Sequence, residues 1–278
     1  MLKSINILGV KITNEKEDKI LEYVLERIKD SGKQFFITTP NPEIVTYAYS
    51  HLDYRNKLNA AEVALPDGIG LLWAALLRGQ RFTERITGVD FVERLCEKSR
   101  EKPLSMGFLG GRGKVAEKAV NRLQQKYPWI KVVWVGEEWD FGKNDALGYS
   151  FEKESIARGP VAPHPRSTSS ATMPAGAHRG TPSRATPLID ILFVAYGFPK
   201  QEEWIYENLE KLPVKAAMGV GGAFDYLSGE VTRAPKFLRA LGLEWLFRLI
   251  RQPWRWKRQL ALIRFVLLMV LISVRKCV

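Results

Sequence analysis

The feature that most constrains this chain is a repeated alternation of short apolar segments with longer amphipathic ones. The apolar segments are four to eight residues long, rich in β-branched or aromatic residues, and end at glycine, proline or polar residues. They lie at 34–39, 62–65, 104–109, 130–135, 188–195 and 215–220. Strands that alternate with helices pair in parallel and need helices on both faces. We therefore predict an α/β fold with a Rossmann-like, mostly parallel sheet.

Local signals place several helices between these strands. Asn41 suits an N-cap and Pro42 the first helical position, which predicts one helix running to about Leu58. An amphipathic helix is expected from Lys114 to about Lys126. The first 14 residues read as a short strand and turn, and their apolar run is too short for a secretory signal.

Composition excludes two broad classes of protein. With 278 residues, 46% of them hydrophobic, the chain can bury a substantial core, so disorder of the whole chain is excluded. Cys96 and Cys277 are its only cysteines, which excludes a disulfide framework and favours a reducing compartment. The net charge of +12 is unevenly distributed, because residues 233–278 carry 11 basic residues and a single acidic one.

Residues 158–187 interrupt the alternating pattern. They hold six of the 15 prolines, four arginines and no acidic residue, with almost no large apolar side chain. Such a segment buries too little surface to offset its ordering entropy, so we predict a disordered or inserted loop. We accordingly divide the chain into an α/β domain, 1–232, and a basic appendage, 233–278.

The appendage has the composition of a membrane-surface segment. Residues 235–253 have the spacing of one amphipathic helix, and basic and tryptophan residues precede an apolar run at Phe265–Val274. That run is about half of what a membrane-spanning helix needs. We expect the appendage to lie on an anionic membrane, without a spanning helix. The alternative is that the appendage packs on the α/β domain or on a second copy of the chain, which would form a homo-oligomer. Nucleic acid is not expected as a partner.

One glycine-rich loop could approach a phosphate. Residues 111–116 form a G-x-G-x-x-A pattern between a predicted strand and a predicted helix, and Glu137 follows the next strand. Backbone N–H groups at such a turn can bind an anion. The pattern fits a nucleotide, including the nicotinamide cofactor of a dehydrogenase, and also fits a tight turn with no ligand.

Polar residues follow other strands at the edge where ligands bind in such sheets. Asp67 lies in a glycine-flanked turn, where it could be a general base or a helix cap. Thr39 and Asn41 are either capping residues or ligand contacts. Gln201 and Asp225 lie in the loops after the last two predicted strands.

A metal centre is not expected from the sequence. His51 is the only histidine outside 158–187, and no pair of cysteines has metal-ligand spacing. We expect metal-independent chemistry with no cofactor.

Seven segments, taken together and in order, resemble the WecG/TagA/CpsF family of glycosyltransferases, most closely its TagA branch. They are TTPNPEIV (38–45), LPDGIGL (65–71), RITGVDF (85–91), FLGGRGKVAEKA (108–119), DILFVAYGFPKQEEW (190–204), GVGGAFDYLSGEVTRAP (219–235) and GLEWLFRLIRQPWRWKR (242–258). The resemblance implies inverting transfer of N-acetylmannosamine from UDP-N-acetylmannosamine to N-acetylglucosamine on undecaprenyl diphosphate. The product is a β-1,4-linked intermediate of wall teichoic acid synthesis, with UDP released. Other members of the family use UDP-glucose or UDP-N-acetylmannosaminuronic acid as donor. The alternative for this chain is transfer of one of these sugars, for another cell-surface polysaccharide.

The resemblance also implies roles for individual residues. Asp67 is implied as the general base, with Thr39, Asn41 and Gln201 at the transferred sugar. The implied UDP-sugar site is formed by Gly110, Gly111, Gly221, Gly222, Asp225 and Arg85. The implied diphosphate contacts are Arg248, Arg255 and Arg258. The family further implies a peripheral position on the cytoplasmic face of the bacterial plasma membrane.

Overall fold

A computed structural model describes residues 2–30, 32–136 and 189–275. The strands are β1 (Ser4–Ile7), β2 (Val10–Thr13), β3 (Phe35–Thr38), β4 (Val63–Ala64), β5 (Ser105–Gly110), β6 (Lys131–Gly136), β7 (Ile189–Ala195) and β8 (Val214–Gly219). The helices are α1 (Glu17–Lys29), α2 (Pro42–Ser50), α3 (Leu52–Asn59), α4 (Ile69–Leu76), α5 (Gly88–Lys98), α6 (Val115–Lys126), α7 (Lys200–Asn208), α8 (Ala223–Leu227), α9 (Lys236–Ala240), α10 (Glu244–Arg251) and α11 (Trp256–Arg275). The predictions for 158–187 and Glu137 fall outside the described residues.

The predicted α/β fold is confirmed. The six strands β3–β8 form one sheet of order β4-β3-β8-β7-β5-β6, and each neighbouring pair is parallel. Strands β1 and β2 form a separate antiparallel hairpin. From β3 the chain continues outward to the edge strand β4. From β5 it continues outward in the opposite sense, to the other edge strand β6, so the order in which strands are added reverses between these two halves. Ligand crevices form at such a reversal, at the carboxyl ends of the strands.

Alternate residues of the strands pack on opposite faces of the sheet. Phe193 belongs to the apolar core with helices α1, α5, α6 and α8, whereas its neighbour Leu192 packs with α7 on the other face. Both side chains are fully buried. This arrangement confirms the prediction of helices on both faces.

The helix predicted from Pro42 to Leu58 is instead two helices. Asn41 does cap α2, since its side-chain oxygen accepts a hydrogen bond from the Ile44 N–H at 3.0 Å. The helix stops at His51, which has extended backbone angles and whose ring stacks on Tyr47 at 3.8 Å. The break allows α3 to change direction, so that Tyr54 and Leu58 reach a third apolar core.

The appendage also departs from the single amphipathic helix predicted for 235–253. Gly242 has φ +75° and separates α9 from α10. A side chain there would press on Ile69, because a Cβ would lie 2.8 Å from its side chain. The left-handed conformation and the close contact both favour glycine.

The last helix, α11, packs on the α/β domain. Phe265 and Met269 are each 1% exposed and join the core formed by the hairpin, α2, α3 and α4. Arg264 donates a hydrogen bond to Ser50 at 2.9 Å. Among the described residues no helix is both long and apolar enough to cross a bilayer.

Candidate active site

The candidate site consists of two cavities that share one wall. We name the larger one, of about 510 Å³, the polar pocket, because it lies at the ends of β3, β5, β7 and β8 among loop residues. The smaller one, of about 280 Å³, is the apolar pocket, which α4, α10 and α11 enclose with Trp73, Trp245 and Leu262. The shared wall consists of Asn41, Glu43, Asp67, Val89, Tyr226 and Arg248.

The polar pocket contains most of the residues predicted from the strand ends. Thr39 donates a hydrogen bond to the Gly219 carbonyl at 3.2 Å, which joins β3 to β8. Gln201 accepts a hydrogen bond from the Gly221 N–H at 2.8 Å through its side-chain oxygen. Both side chains are buried and line the cavity. The capping reading of Asn41 is confirmed, and the same residue also borders both pockets.

The glycine loops shape the floor of the polar pocket by close packing. A Cβ on Gly110 would lie 2.9 Å from the backbone of Ala195, and its φ is +102°. Gly110 therefore allows the ends of β5 and β7 to meet, while Gly111 lines the cavity itself. Gly221 and Gly222 line it from the other side, and a Cβ on Gly222 would lie 3.0 Å from Arg248.

Arg248 connects the appendage to the polar pocket. Its guanidinium lies 3.2 Å from the Asp225 carboxylate and 4.7 Å from the centre of the Tyr226 ring. Asp225 thus has an arginine partner from α10 in addition to facing the cavity. The side chains of Arg255 and Arg258 lie outside the part of the chain that the structure describes. Arg85 lines the apolar pocket rather than the polar one and donates to the Arg239 carbonyl at 2.8 Å.

Asp67 lies in the shared wall with an unusual protonation equilibrium. Burial among the surrounding protein, followed by the negative charge of Glu244, raises the pKa of its carboxyl to about 7. A hydrogen bond from the Gly88 N–H and the charge of Arg85 oppose this rise. The residue is half-buried and borders both pockets. A carboxylate with a pKa near neutrality is suited to receive a proton.

The raised pKa of Asp67 has a consequence for stability. Between pH 3.8, its ordinary pKa, and about 7, the folded protein holds a proton that the unfolded chain has lost. The contribution of Asp67 to the free energy of unfolding therefore falls as pH rises through this window. Asp67→Asn, which stays uncharged, is expected to be close to wild type in stability at pH 4. At pH 8 it is expected to be more stable by about 1–3 kcal/mol.

Urea unfolding of both proteins at pH 4 and pH 8 measures this difference. Asp53→Asn is the matched control, since the Asp53 side chain is 84% exposed and its substitution should give no such pH-dependent gain. A stability difference between Asp67→Asn and wild type that does not grow with pH would contradict the prediction.

Sequence reasoning missed a cluster of charged residues beside Asp67. Thr87 caps α5, because its hydroxyl oxygen accepts from the Asp90 N–H at 3.2 Å. Arg233 binds both Asp90 and Glu244. The Thr-x-x-Asp spacing of residues 87–90 is a recognisable helix-start signal that could have located α5. The ion pairs had no sequence signal, since Asp90 and Arg233 are 143 residues apart.

A buried carboxyl next to Gln201 was also missed. Glu202 is fully buried, and burial raises its pKa to about 7. Its Oε1 accepts from the Gln201 side-chain nitrogen at 2.7 Å. The Tyr54 hydroxyl lies near the same carboxyl and has a raised pKa, mainly through burial. Glu202 therefore fixes the Gln201 side chain by a hydrogen bond but does not line either cavity.

Among the described residues, no three His, Cys, Asp or Glu side chains converge in a group that could hold a metal ion. His51, the histidine outside residues 158–187, follows the last residue of α2, and its ring nitrogen hydrogen-bonds the Tyr47 carbonyl at 2.9 Å.

Comparison with known families identifies the family of this chain. The sequence model described as "Glycosyl transferase WecG/TagA/CpsF family" matches residues 5–150 and 187–276. The chain belongs to the WecG/TagA/CpsF family of glycosyltransferases. The match covers most of the chain, including both pockets, and leaves out residues 151–186, which include nearly all of the loop predicted at 158–187.

Relatives of known name agree with this assignment. A Bacillus subtilis (strain 168) protein is 30% identical over 261 residues, which cover 94% of this chain and 89% of the relative. A Bacillus spizizenii protein is 32% identical, over 85% of this chain and 79% of its own length. A Staphylococcus aureus (strain MRSA252) protein is 30% identical, over 91% and 86% respectively. Each is named N-acetylglucosaminyldiphosphoundecaprenol N-acetyl-beta-D-mannosaminyltransferase.

Proposed function

We propose that this protein transfers N-acetylmannosamine from UDP-N-acetylmannosamine to undecaprenyl-diphosphate-linked N-acetylglucosamine. The transfer inverts the anomeric centre, forms a β-1,4 linkage and releases UDP, as a step of wall teichoic acid linkage-unit synthesis. The observation that carries the proposal is Asp67, a carboxyl with a pKa near 7 in the wall between a polar and an apolar cavity. The names of its relatives supply the identity of the two substrates.

The polar pocket suits the nucleotide sugar. Its volume of about 510 Å³ falls within the range of about 300–1,000 Å³ usual for small-ligand sites. Gly111 and Gly221 allow backbone to approach a diphosphate closely, and Asp225 offers acceptor oxygens for hydroxyl groups of the nucleoside. Thr39, Asn41 and Gln201 line the same pocket as Asp67, and the transferred sugar would lie among them.

The apolar pocket suits the acceptor. Trp73 and Leu262 offer apolar surface, while Arg85 and Arg248 bring positive charge to the same cavity. An acceptor sugar attached to a lipid diphosphate combines these two requirements. Arginine binds phosphate oxygens in pairs through its planar guanidinium group.

The chemistry follows from the position of Asp67 between the cavities. The acceptor hydroxyl oxygen forms a bond to the anomeric carbon from the face opposite UDP, and the bond from that carbon to the UDP oxygen breaks with its electron pair. Asp67 receives the hydroxyl proton. Arg248 would offset negative charge that develops on the departing UDP. In this scheme the transfer is metal-independent and needs no cofactor.

The appendage would hold the active site at the membrane that carries the lipid-linked acceptor. Its exposed apolar residues include Phe237, Ile250 and Trp254, each more than 60% exposed. Basic and apolar groups together favour an anionic membrane surface. We place the protein peripherally on the cytoplasmic face of the bacterial plasma membrane, where a lipid-linked acceptor would be presented.

A donor screen tests the reaction and its specificity together. Full-length protein is incubated with synthetic lipid-linked N-acetylglucosamine and, in separate reactions, UDP-N-acetylmannosamine, UDP-glucose and UDP-N-acetylmannosaminuronic acid. We expect UDP release and a disaccharide-lipid product with UDP-N-acetylmannosamine, and neither when the acceptor is omitted. If the protein turns over one of the other two donors and not UDP-N-acetylmannosamine, the proposed donor is wrong.

Calorimetry separates the transferase from the dehydrogenase reading of residues 111–116. We expect UDP to bind and NAD not to bind. Tight binding of NAD without binding of UDP would overturn the proposed function.

A further inference from the structure

We propose that Arg233 and Glu244 are positioning residues for Asp67, through which the appendage holds the N-terminus of α5 against the carboxylate that receives the proton. The inference rests on the proposed function for the role of Asp67. It concerns two residues at the junction of the appendage and the α/β domain, and both line the apolar pocket.

Arg233 links three elements through one guanidinium group. Its two terminal nitrogens lie 2.6 and 2.7 Å from the two carboxylate oxygens of Asp90. Its Nε donates to Glu244 at 3.1 Å, and a terminal nitrogen also reaches the Thr87 hydroxyl at 3.2 Å. The side chains of Arg233 and Glu244 are only 18% and 17% exposed. The Asp90 side chain is 39% exposed, so the firmness of that pair comes from its two parallel hydrogen bonds, whereas the pair with Glu244 is largely buried.

The residues that Arg233 binds form the start of α5. Thr87 is the N-cap of this helix, and Asp90 belongs to its first turn. Burial would raise the pKa of Asp90, but the hydrogen bonds from Arg233 and Thr87 outweigh it and hold the pKa below its usual value. Asp90 is therefore an ionised, fixed partner at neutral pH.

The start of α5 lies beside Asp67. Gly88, the first residue of the helix, lines the polar pocket together with Asp67, and its backbone N–H lowers the pKa of the Asp67 carboxyl. Gly88 also packs closely on Thr39, since a Cβ there would lie 3.2 Å from the threonine methyl group. Any displacement of the helix start would therefore move the donor to Asp67 and disturb the neighbouring sugar site.

Glu244 acts on Asp67 in the opposite electrostatic sense. Its negative charge disfavours ionisation of Asp67, whereas the Gly88 N–H favours it. Charged and titratable groups approach Asp67 from several elements packed around the pockets: Glu43 of α2, Arg85 before α5, Asp90 of α5, Arg233 before α9, and Glu244 and Arg248 of α10. Glu244 and Arg248 reach the site only because α10 is docked on the domain.

Two conservative variants give opposite expectations. Arg233→Lys keeps the charge but loses the paired geometry, so the Gly88 N–H is held less firmly beside Asp67 and protonation of Asp67 becomes easier. Glu244→Gln removes a negative charge, so Asp67 ionises more readily. We measure kcat/KM at pH 6 and pH 8 with full-length protein. The pH 6 to pH 8 ratio should fall about threefold in Arg233→Lys and rise about threefold in Glu244→Gln, which corresponds to shifts of about 0.5 pH unit.

The controls come from the same helix. Arg94→Lys and Glu97→Gln alter an ion pair on α5 that lies away from both pockets, and the pH ratio should not change. Loss of activity with an unchanged ratio in Arg233→Lys and Glu244→Gln would show a merely structural role. Shifts in the same direction for both variants would also overturn the proposal.

A second measurement separates this inference from the proposed reaction. Carboxyl ¹³C NMR of the full chain follows the titration of Asp67 directly, with the signal assigned by its disappearance in Asp67→Asn. If wild-type protein releases no UDP with the proposed substrates, the reaction is wrong, yet the opposite shifts of the Asp67 titration should persist. If UDP is released but neither variant shifts that titration, the proposal for Arg233 and Glu244 fails alone.

Discussion

Asp67→Asn is expected to lower the rate of sugar transfer by about 10²–10⁴-fold, the usual contribution of a positioned general base. Asparagine has nearly the same shape and can still accept the hydrogen bond from the Gly88 N–H. It cannot take the proton of the attacking hydroxyl. Because the polar pocket extends well beyond Asp67, UDP binding should be nearly unchanged, so the loss appears in kcat. Steady-state UDP release with the lipid-linked acceptor measures it.

The wild-type pH profile provides an independent test of the same role. With a pKa of about 7, Asp67 is mostly protonated at pH 6 and mostly ionised at pH 8. Since only the ionised form can accept the proton, kcat/KM should rise about tenfold per pH unit well below 7 and level off above about 8.

The residual activity of Asp67→Asn should lose this dependence on pH. Asp53→Asn, which changes an exposed carboxylate outside the site, should keep both the rate and the profile. An unchanged rate in Asp67→Asn, with UDP binding intact, would remove Asp67 from the role of base.

Replacing two exposed apolar residues of the appendage is expected to weaken vesicle binding by about 100-fold. Ile250 and Trp254 are 70% and 71% exposed, so Ile250→Ser with Trp254→Ser should leave the fold intact. Full burial of a large apolar side chain contributes about 1.5–3 kcal/mol, and partial insertion of two such residues at a membrane surface gives the expected loss. Co-sedimentation with phosphatidylglycerol-containing vesicles measures it.

A matched pair of substitutions outside the appendage serves as the control. Leu52→Ser with Tyr206→Ser removes two side chains that are 59% and 49% exposed, and should leave vesicle binding unchanged. Equal binding by the two double variants would show that the exposed face of the appendage is not the anchor. Deleting the whole appendage is a poorer experiment, because Phe265 and Met269 belong to an apolar core of the α/β domain.

Local sequence signals predicted the strands and caps whose formation depends on residues close together in the chain. The six strands of the parallel sheet lie where short apolar runs end in turns, with differences of at most one residue at each end. The cap at Asn41 was predicted because its hydrogen bond spans only three residues. The break at His51 was not, since α3 changes direction to bury Tyr54 against distant apolar residues.

The residues of the candidate site also fall into those predicted from local signals and those that needed the structure. Thr39, Asn41, Asp67 and Gln201 could be placed at one edge of the sheet because parallel strands bring their carboxyl ends together. The position of Arg85 in the apolar pocket and the pairing of Asp225 with Arg248 needed the structure. Both depend on how the appendage docks, which no periodic pattern describes.

The sequence by itself determined the parallel α/β sheet, the loops that carry polar residues, and the segregation of basic charge into residues 233–278. Those properties follow from short-range conformational preferences and from composition. Only the tertiary structure decided that Asp67 lies between two cavities with a pKa near 7, under the influence of Glu244. Desolvation and the fields of distant charges depend on where the folded chain places its groups, so they cannot be read from neighbouring residues.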